Sequence, residues 1–219
     1  MPVKVKICGV RTPAIVNTAA EAGADYVGLV LFPGSPRYVE VEEARVLAAI
    51  GKGKVGAVAV LVDPDDALID KVVERVRPDL LQLHGSETPD RVAAIRARAG
   101  LPVMKAVAIE SAADVTEARA YAASADHILF DAKAGPGAAL PGGNGVAFDW
   151  LTLKGFAAPF ALSGGLTPET VGEAITMTGA ALVDVSSGVE RAPGDKDPEL
   201  VRRFIQAAKS GSHARAKAS

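Results

Sequence analysis

The chain offers one thiol and a handful of carboxyls as reactive groups, and their positions are the first clue to chemistry. Cys8 is the only cysteine in 219 residues and closes the run "VKVKICG" (3–9). By the two-residue period of a strand, Lys4, Lys6 and Cys8 share one face while Val3, Val5 and Ile7 share the other. An isolated cysteine is most often a small buried core residue. Standing at the end of a polar strand face makes it a candidate base, because a free thiol titrates near about 8.5 and a modest downward shift would supply thiolate at neutral pH. Lys6 could help that anion or be paired with a carboxylate elsewhere.

Asp131 closes "HILFDA" in the same way, preceded by apolar residues, so burial would favour its protonated form, as a general acid requires. The competing reading is an aspartate capping the next loop. Asp184 in "LVDVSSG" and His84 in "LLQLHG" occupy similar strand-end positions. Arg37, in "PGSPRYV", carries a fork suited to a carboxylate. Three glycine-rich loops follow late strands: "PGGNG" with Gly143 and Gly145, "SGGL" with Gly164 and Gly165, and "SSGVE" with Ser186, Ser187 and Gly188. Such loops let backbone N–H groups approach a phosphate. A ligand with a phosphate at one end and an acid at the other fits this set.

These residues need a scaffold that gathers strand ends. Eight short apolar runs recur, with helix-like spacing after most of them: "VKVKICG", "YVGLVLF", "KVGAVAVLV", "LLQLHG", "PVMKAVAI", "HILFDA", "FALSGGL" and "LVDVSSGV". Thr12-Pro13, Asp63-Pro64, Thr88-Pro89, Thr167-Pro168 and Asp197-Pro198 each pair a capping side chain with a proline suited to a first helical turn. Strand alternating with helix predicts an α/β fold, a (β/α)8 TIM barrel of eight parallel strands with outer helices. No GxGxxG marks the first strand-to-helix turn, which argues against an open dinucleotide-binding sheet. One barrel domain is expected over 1–210, with "SGSHARAKAS" opening a flexible C-terminal tail at 211–219.

Bulk properties narrow the partners. A formal net charge of −2 gives no long-range attraction to nucleic acid or anionic membrane. The absence of a signal-like start or a membrane-length apolar run, with one cysteine, suits a reducing cytoplasm. The histidines, His84, His127 and His213, lack metal-ligand spacing, and no metal or cofactor is expected. The expected partner is a small phosphorylated molecule, with either a monomer or a homodimer open.

Taken in order and spacing, "KICG", "SPRYV", "QLHG", "FDA" with "GGNG..FDW", "SGGL" and "VDVSSGVE...GDKD" resemble the motifs of the phosphoribosylanthranilate isomerase family of tryptophan biosynthesis, over about residues 3–206. The resemblance implies a cofactor-independent Amadori rearrangement of N-(5-phosphoribosyl)anthranilate to 1-(o-carboxyphenylamino)-1-deoxyribulose 5-phosphate. It assigns Asp131 as the acid that opens the furanose ring and Cys8 as the base at sugar C2. Arg37 would hold the anthranilate carboxylate, and the "SGGL" and "SSG" backbones the phosphate. The related isomerase of histidine biosynthesis carries aspartate rather than cysteine at the end of its first strand. A non-catalytic phosphate-binding barrel is the alternative of another class. Both Cys8 and Asp131 are present, which disfavours it.

Overall fold

The computed structural model describes residues 2–133, 149–153, 156 and 158–218, the last seven as backbone alone. Eight parallel strands close into a barrel in sequence order: β1 (Lys4–Cys8), β2 (Tyr26–Val30), β3 (Gly56–Leu61), β4 (Leu80–Leu83), β5 (Val103–Ile109), β6 (His127–Ala132), β7 (Ala161–Leu162) and β8 (Leu182–Val185). Each apolar run of the sequence contains one of them. Around them stand α1 (Pro13–Glu21), α2 (Val41–Gly51), α3 (Asp66–Arg75), α4 (Pro89–Ala99), α5 (Ala112–Glu117), α6 (Val171–Thr178) and α7 (Pro198–Ala218). No described helix is long and apolar enough to cross a membrane. The backbone from residue 211 is helical as far as Ala218.

The two-residue period sorts the strand side chains into two apolar layers. Val5, Ile7, Val27, Leu29, Leu81 and Leu83 face outward and pack under the helices. Cys8, Val58, Val60, Leu80, Met104, Ala106 and Leu129 fill the barrel instead. Where β6 gives way to a short 3-10 turn at Trp150–Leu153, the outer layer is aromatic. Phe130 meets Phe156 and Phe160 edge-on at centroid separations of 5.0 and 5.4 Å.

Threonine caps α1 and α4 as expected: Thr12 accepts from Ile15 N–H and Thr88 from Arg91 N–H, each followed by proline. Asp197 likewise accepts from Glu199 and Leu200 N–H at the start of α7. The other two Asx/Thr-Pro pairs serve differently. Asp65, not Asp63, caps α3. Asp63 sits at φ +45° and takes the Ser86 N–H at 2.7 Å, bracing the loop after β4. Thr167 and Thr170 bond each other in a turn that delays α6 to Val171.

A recurrent clamp closes the N-terminal end of the barrel. The aspartate immediately before β2, β4 and β6 donates its N–H to the preceding strand and accepts the N–H of the same residue with its carboxylate. Asp25 does so to Val5, Asp79 to Ala57 and Asp126 to Val103, with carboxylate contacts of 2.8, 2.7 and 2.9 Å. Ala181 stands at the corresponding place before β8 and supplies only the main-chain bond, to Phe160. Asp79→Ala leaves the Ala57 N–H without its side-chain acceptor and should lower stability by about 1–2 kcal/mol. Urea denaturation should show the lower midpoint, while kcat and KM stay unchanged because the clamp lies at the end of the barrel opposite the strand C-termini.

Candidate active site

Polar residues that alternate with the barrel core meet near the strand C-termini. Lys6 is completely buried and its Nζ lies 3.0 Å from Asp184 Oδ1, across the β1–β8 pairing in which the two are register partners. Cys8, one pleat above, ends β1 with 8% exposure. Space for both comes from Gly28 on β2: a Cβ there would stand 2.9 Å from Cys8 Sγ and 3.1 Å from Lys6 Cε. Glycine is therefore required by close approach, at φ values open to any residue.

The electrostatics of this strip are set by burial. Burial pushes the Cys8 thiol up, the nearby Asp184 carboxylate adds to the push, and Lys6 and Lys196 oppose it without winning. The direction is thus opposite to the downward shift that a thiolate base at neutral pH would need. Burial works against the Lys6 ammonium, yet Asp184 and Cys8 outweigh it and raise Lys6. Asp184 is raised by burial and by the neighbouring Asp131 carboxyl, with Lys6 opposing. Lys6 is therefore paired with the Asp184 carboxylate, the second of the two sequence alternatives, and it also lies close enough to act on Cys8.

Asp131, 4% exposed, lies near the end of β6 with its Oδ2 3.3 Å from His84 Nε2. Its Oδ1 accepts the Ala132 N–H at 3.0 Å. Behind His84, the Gln82 side-chain nitrogen lies 2.9 Å from Nδ1, completing a chain Gln82–His84–Asp131. Gln82 and His84 are two residues apart on one strand face, a spacing legible in "QLH". The loop carrying His84 is fixed from beneath by a second buried ion pair. Lys105 Nζ meets Glu87 Oε2 at 2.7 Å and the Gly85 carbonyl at 2.6 Å, while Glu87 also accepts the Gly85 N–H. Lys105 lies on the helix-facing side of β5, where periodicity alone suggests an apolar residue.

Arg37 is buried. Its Nε and Nη2 donate to the two carboxylate oxygens of Glu190 at 2.9 and 2.8 Å, a fork-to-fork pair. Glu190 comes from a hairpin after β8, made of β9 (Glu190–Ala192) and β10 (Asp195–Lys196). From β10, Lys196 reaches Glu190 Oε1 at 2.6 Å and the Ser186 carbonyl at 3.0 Å. Ser186 Oγ in turn donates to the Cys8 carbonyl at 3.3 Å. Burial alone would lift Glu190, but Arg37 and Lys196 outweigh it and hold the carboxyl below its ordinary range. Sequence reasoning took "SSGVE...GDKD" as a motif and missed Glu190 and Lys196 as members of the site.

The two late glycine loops lie against each other. Gly164 has φ +89°, and a Cβ on it would come within 2.6 Å of Ala132 N, so its backbone rests directly on the end of β6. Gly165 is also left-handed, at φ +65°. A side chain on Gly188 would run into the Leu166 carbonyl oxygen. Ser187 and Gly188 open a three-residue 3-10 turn after Ser186. Close packing of bare backbone leaves these loops able to approach a phosphate. Gly143 and Gly145 lie outside the described residues.

Comparison with known proteins follows this geometry. Residues 5–207 match the family described as "PRAI: N-(5'phosphoribosyl)anthranilate (PRA) isomerase". The chain is 56% identical over 213 residues to the N-(5'-phosphoribosyl)anthranilate isomerase of Paramagnetospirillum magneticum, covering 96% of this chain and 99% of that protein. It is 53% identical over 209 residues to the protein of that name from Cereibacter sphaeroides, covering 94% and 99%. Among solved structures, phosphoribosyl anthranilate isomerase from Thermotoga maritima superposes with a TM-score of 0.86 at 36% identity, covering 95% of this chain and 99% of that one. A phosphoribosyl anthranilate isomerase in complex with reduced 1-(o-carboxyphenylamino)-1-deoxyribulose 5-phosphate superposes at 0.83 with 34% identity and the same coverages. With the barrel, the strand-end thiol and the strand-end carboxyl in place, this chain belongs to the N-(5'-phosphoribosyl)anthranilate isomerase family.

Proposed function

We propose that the chain isomerises N-(5'-phosphoribosyl)anthranilate to 1-(o-carboxyphenylamino)-1-deoxyribulose 5-phosphate with Asp131 as acid and Cys8 as base. The observation that carries this is the meeting of the protein's only thiol with a histidine-held carboxyl around one buried polar strip at the strand C-termini. The Asp131 proton goes to the furanose ring oxygen, the C1–O bond breaks, and the nitrogen lone pair closes a C1=N bond. Cys8 thiolate then removes the proton from C2, and the C–H electrons form C1=C2 as the nitrogen regains its lone pair. Tautomerisation of this enolamine moves a proton from the C2 hydroxyl to C1 and leaves the ketone. Asp131 ends as carboxylate and Cys8 as thiol, and proton exchange with solvent returns each to its starting state, so no electrons are supplied from outside and the product is an isomer of the substrate.

Asp131 must begin protonated for this sequence. The Gln82 side chain supplies a means: its Oε1 is buried with no partner among the described residues. Turned over, the amide would accept a hydrogen bond from His84 Nδ1–H through that oxygen, leaving Nε2 free to accept one from the Asp131 acid. For Cys8, burial opposes the thiolate and the charges of Lys6 and Lys196 offset that only in part. Arg37, held by Glu190, is proposed to meet the anthranilate carboxylate. Gly164, Gly165, Ser186, Ser187 and Gly188 are proposed to receive the phosphate, with His84 and Asp184 facing the sugar between the two ends. A lone thiol kept reduced fits a cytoplasmic enzyme.

Turnover is measured by the loss of anthranilate-type substrate fluorescence with the substrate generated in situ. Cys8→Ser and Asp131→Asn should each lower kcat at least about 100-fold with binding of a reduced product analogue retained. Near-normal kcat in either variant removes that residue from the mechanism. Because Cys8 is the only cysteine, the rate of alkylation by iodoacetamide as a function of pH reports on it alone. Burial raises the thiol in the unliganded protein. Reactivity should therefore rise with pH to a midpoint above the ordinary thiol value of about 8.5. A midpoint below that value would show that the two lysines prevail over burial.

A further inference from the structure

The hairpin after β8 and the loop after β2 bring three charged groups together away from solvent. The side chains of Arg37, Glu190 and Lys196 are exposed by only 7%, 4% and 1%. Burying such groups is unfavourable unless each is paired, and here one carboxylate serves two cations. Glu190 Oε1 accepts from both Arg37 Nε at 2.9 Å and Lys196 Nζ at 2.6 Å, while Oε2 takes Arg37 Nη2 at 2.8 Å. A carboxylate gripped on both oxygens has little freedom to turn, and neither has the fork bound to it.

The same hairpin is tied to the strand that carries the base. Lys196 Nζ contacts both the carbonyl and the Oγ of Ser186, at 3.0 and 3.2 Å, and Ser186 Oγ reaches the Cys8 carbonyl. The aliphatic stem of Arg37 runs over Gly9, the residue after Cys8, where a Cβ would meet Arg37 Cδ at 2.6 Å. At the hairpin tip a Cβ on Gly194 would lie 2.5 Å from the Pro36 carbonyl oxygen, so the hairpin rests on the loop that holds Arg37. Two independent routes therefore join the Arg37 fork to the end of β1.

We propose that Glu190 and Lys196 are positioning residues of the isomerisation: Glu190 fixes the plane of the Arg37 fork, and Lys196 locks Glu190 to the end of β1 so that fork and thiol keep one spacing. This rests on the reading of Cys8 as base and Arg37 as carboxylate holder. The bound carboxylate and the reacting carbon must be held at one separation for the proton transfer, since misplacement by about 1 Å weakens catalysis on the order of 100-fold. Lys196 also places its charge on the Cys8 side of the site, where it favours the thiolate.

The test compares Glu190→Asp, Glu190→Gln, Lys196→Arg and Lys196→Met with Cys8→Ser and Arg37→Met, using the fluorescence assay and iodoacetamide titration. Glu190→Asp keeps the charge and the partners but draws the carboxylate back. It should raise KM about 10-fold with kcat lowered less, and Glu190→Gln should act in the same direction. Lys196→Met should lower kcat near neutral pH and move the Cys8 alkylation midpoint to higher pH, and Lys196→Arg should restore both in part. Wild-type KM, kcat and alkylation profile in folded Glu190→Asp and Lys196→Met proteins, whatever their melting temperatures, would overturn the proposal and leave the hairpin a structural staple. Full activity in Cys8→Ser and Arg37→Met would instead overturn the reading on which it rests.

Discussion

The buried Lys6–Asp184 pair is the constraint to which the rest of the interior conforms. Its members are register partners on β1 and β8, the first and last strands of the ring, whose pairing closes it. Neither charge has solvent access, so removing one alone would strand the other at a penalty of about 3–5 kcal/mol. That requirement helps fix the register of the seam, because sliding one strand by a residue would turn one partner out of the barrel. It also explains Gly28, which leaves the lysine stem and the thiol the volume they need. The reactive strip is thus an outgrowth of the way the barrel shuts.

Around that pair, charge is distributed by distance from solvent. The strip holds Lys6, Cys8, Asp131 and Asp184; the hairpin adds a Glu190 shared by Arg37 and Lys196; and the loop after β4 is underpinned by Lys105 and Glu87. Each contains a buried ion pair, between two strands in the strip and beneath a loop in the other two, and each fixes the backbone beside a residue proposed to touch substrate. Preorganisation of this kind lets charge developing in a reaction meet fixed partners without solvent having to reorganise. The exposed ion pairs, such as Arg98 with Asp70, belong to the helix layer and contribute little to this arrangement.

Much of this was legible because strand periodicity is simple. The runs ending in Cys8 and Asp131 showed both the face and the end of the strand at which those side chains would appear, and the barrel brought the two ends together. Capping was legible where Thr12, Thr88 and Asp197 precede proline, and misleading at Asp63, whose carboxylate is drawn to Ser86 N–H across a loop. Long-range pairing is what local pattern cannot carry. Nothing near Arg37 announces Glu190, 153 positions away. Nothing near Lys105 announces that it will be buried against Glu87, since periodicity asks for an apolar side chain on that side of β5. The direction of the Cys8 thiol also depended on how fully the mouth buries it, a property of the assembled barrel.

The aspartate clamps divide the ring into unequal parts. Three strand pairs, β1–β2, β3–β4 and β5–β6, are stapled at their base by a carboxylate as well as by main chain, whereas β7–β8 has Ala181 and the main chain alone. β7 is also the shortest strand of the barrel, at two residues. The glycine loops proposed to take the phosphate grow from this less tethered quarter. Local opening, and with it amide hydrogen exchange, should concentrate there. Anion entry and release could then draw on breathing of one quarter while the other three keep thiol, carboxyl and histidine in place.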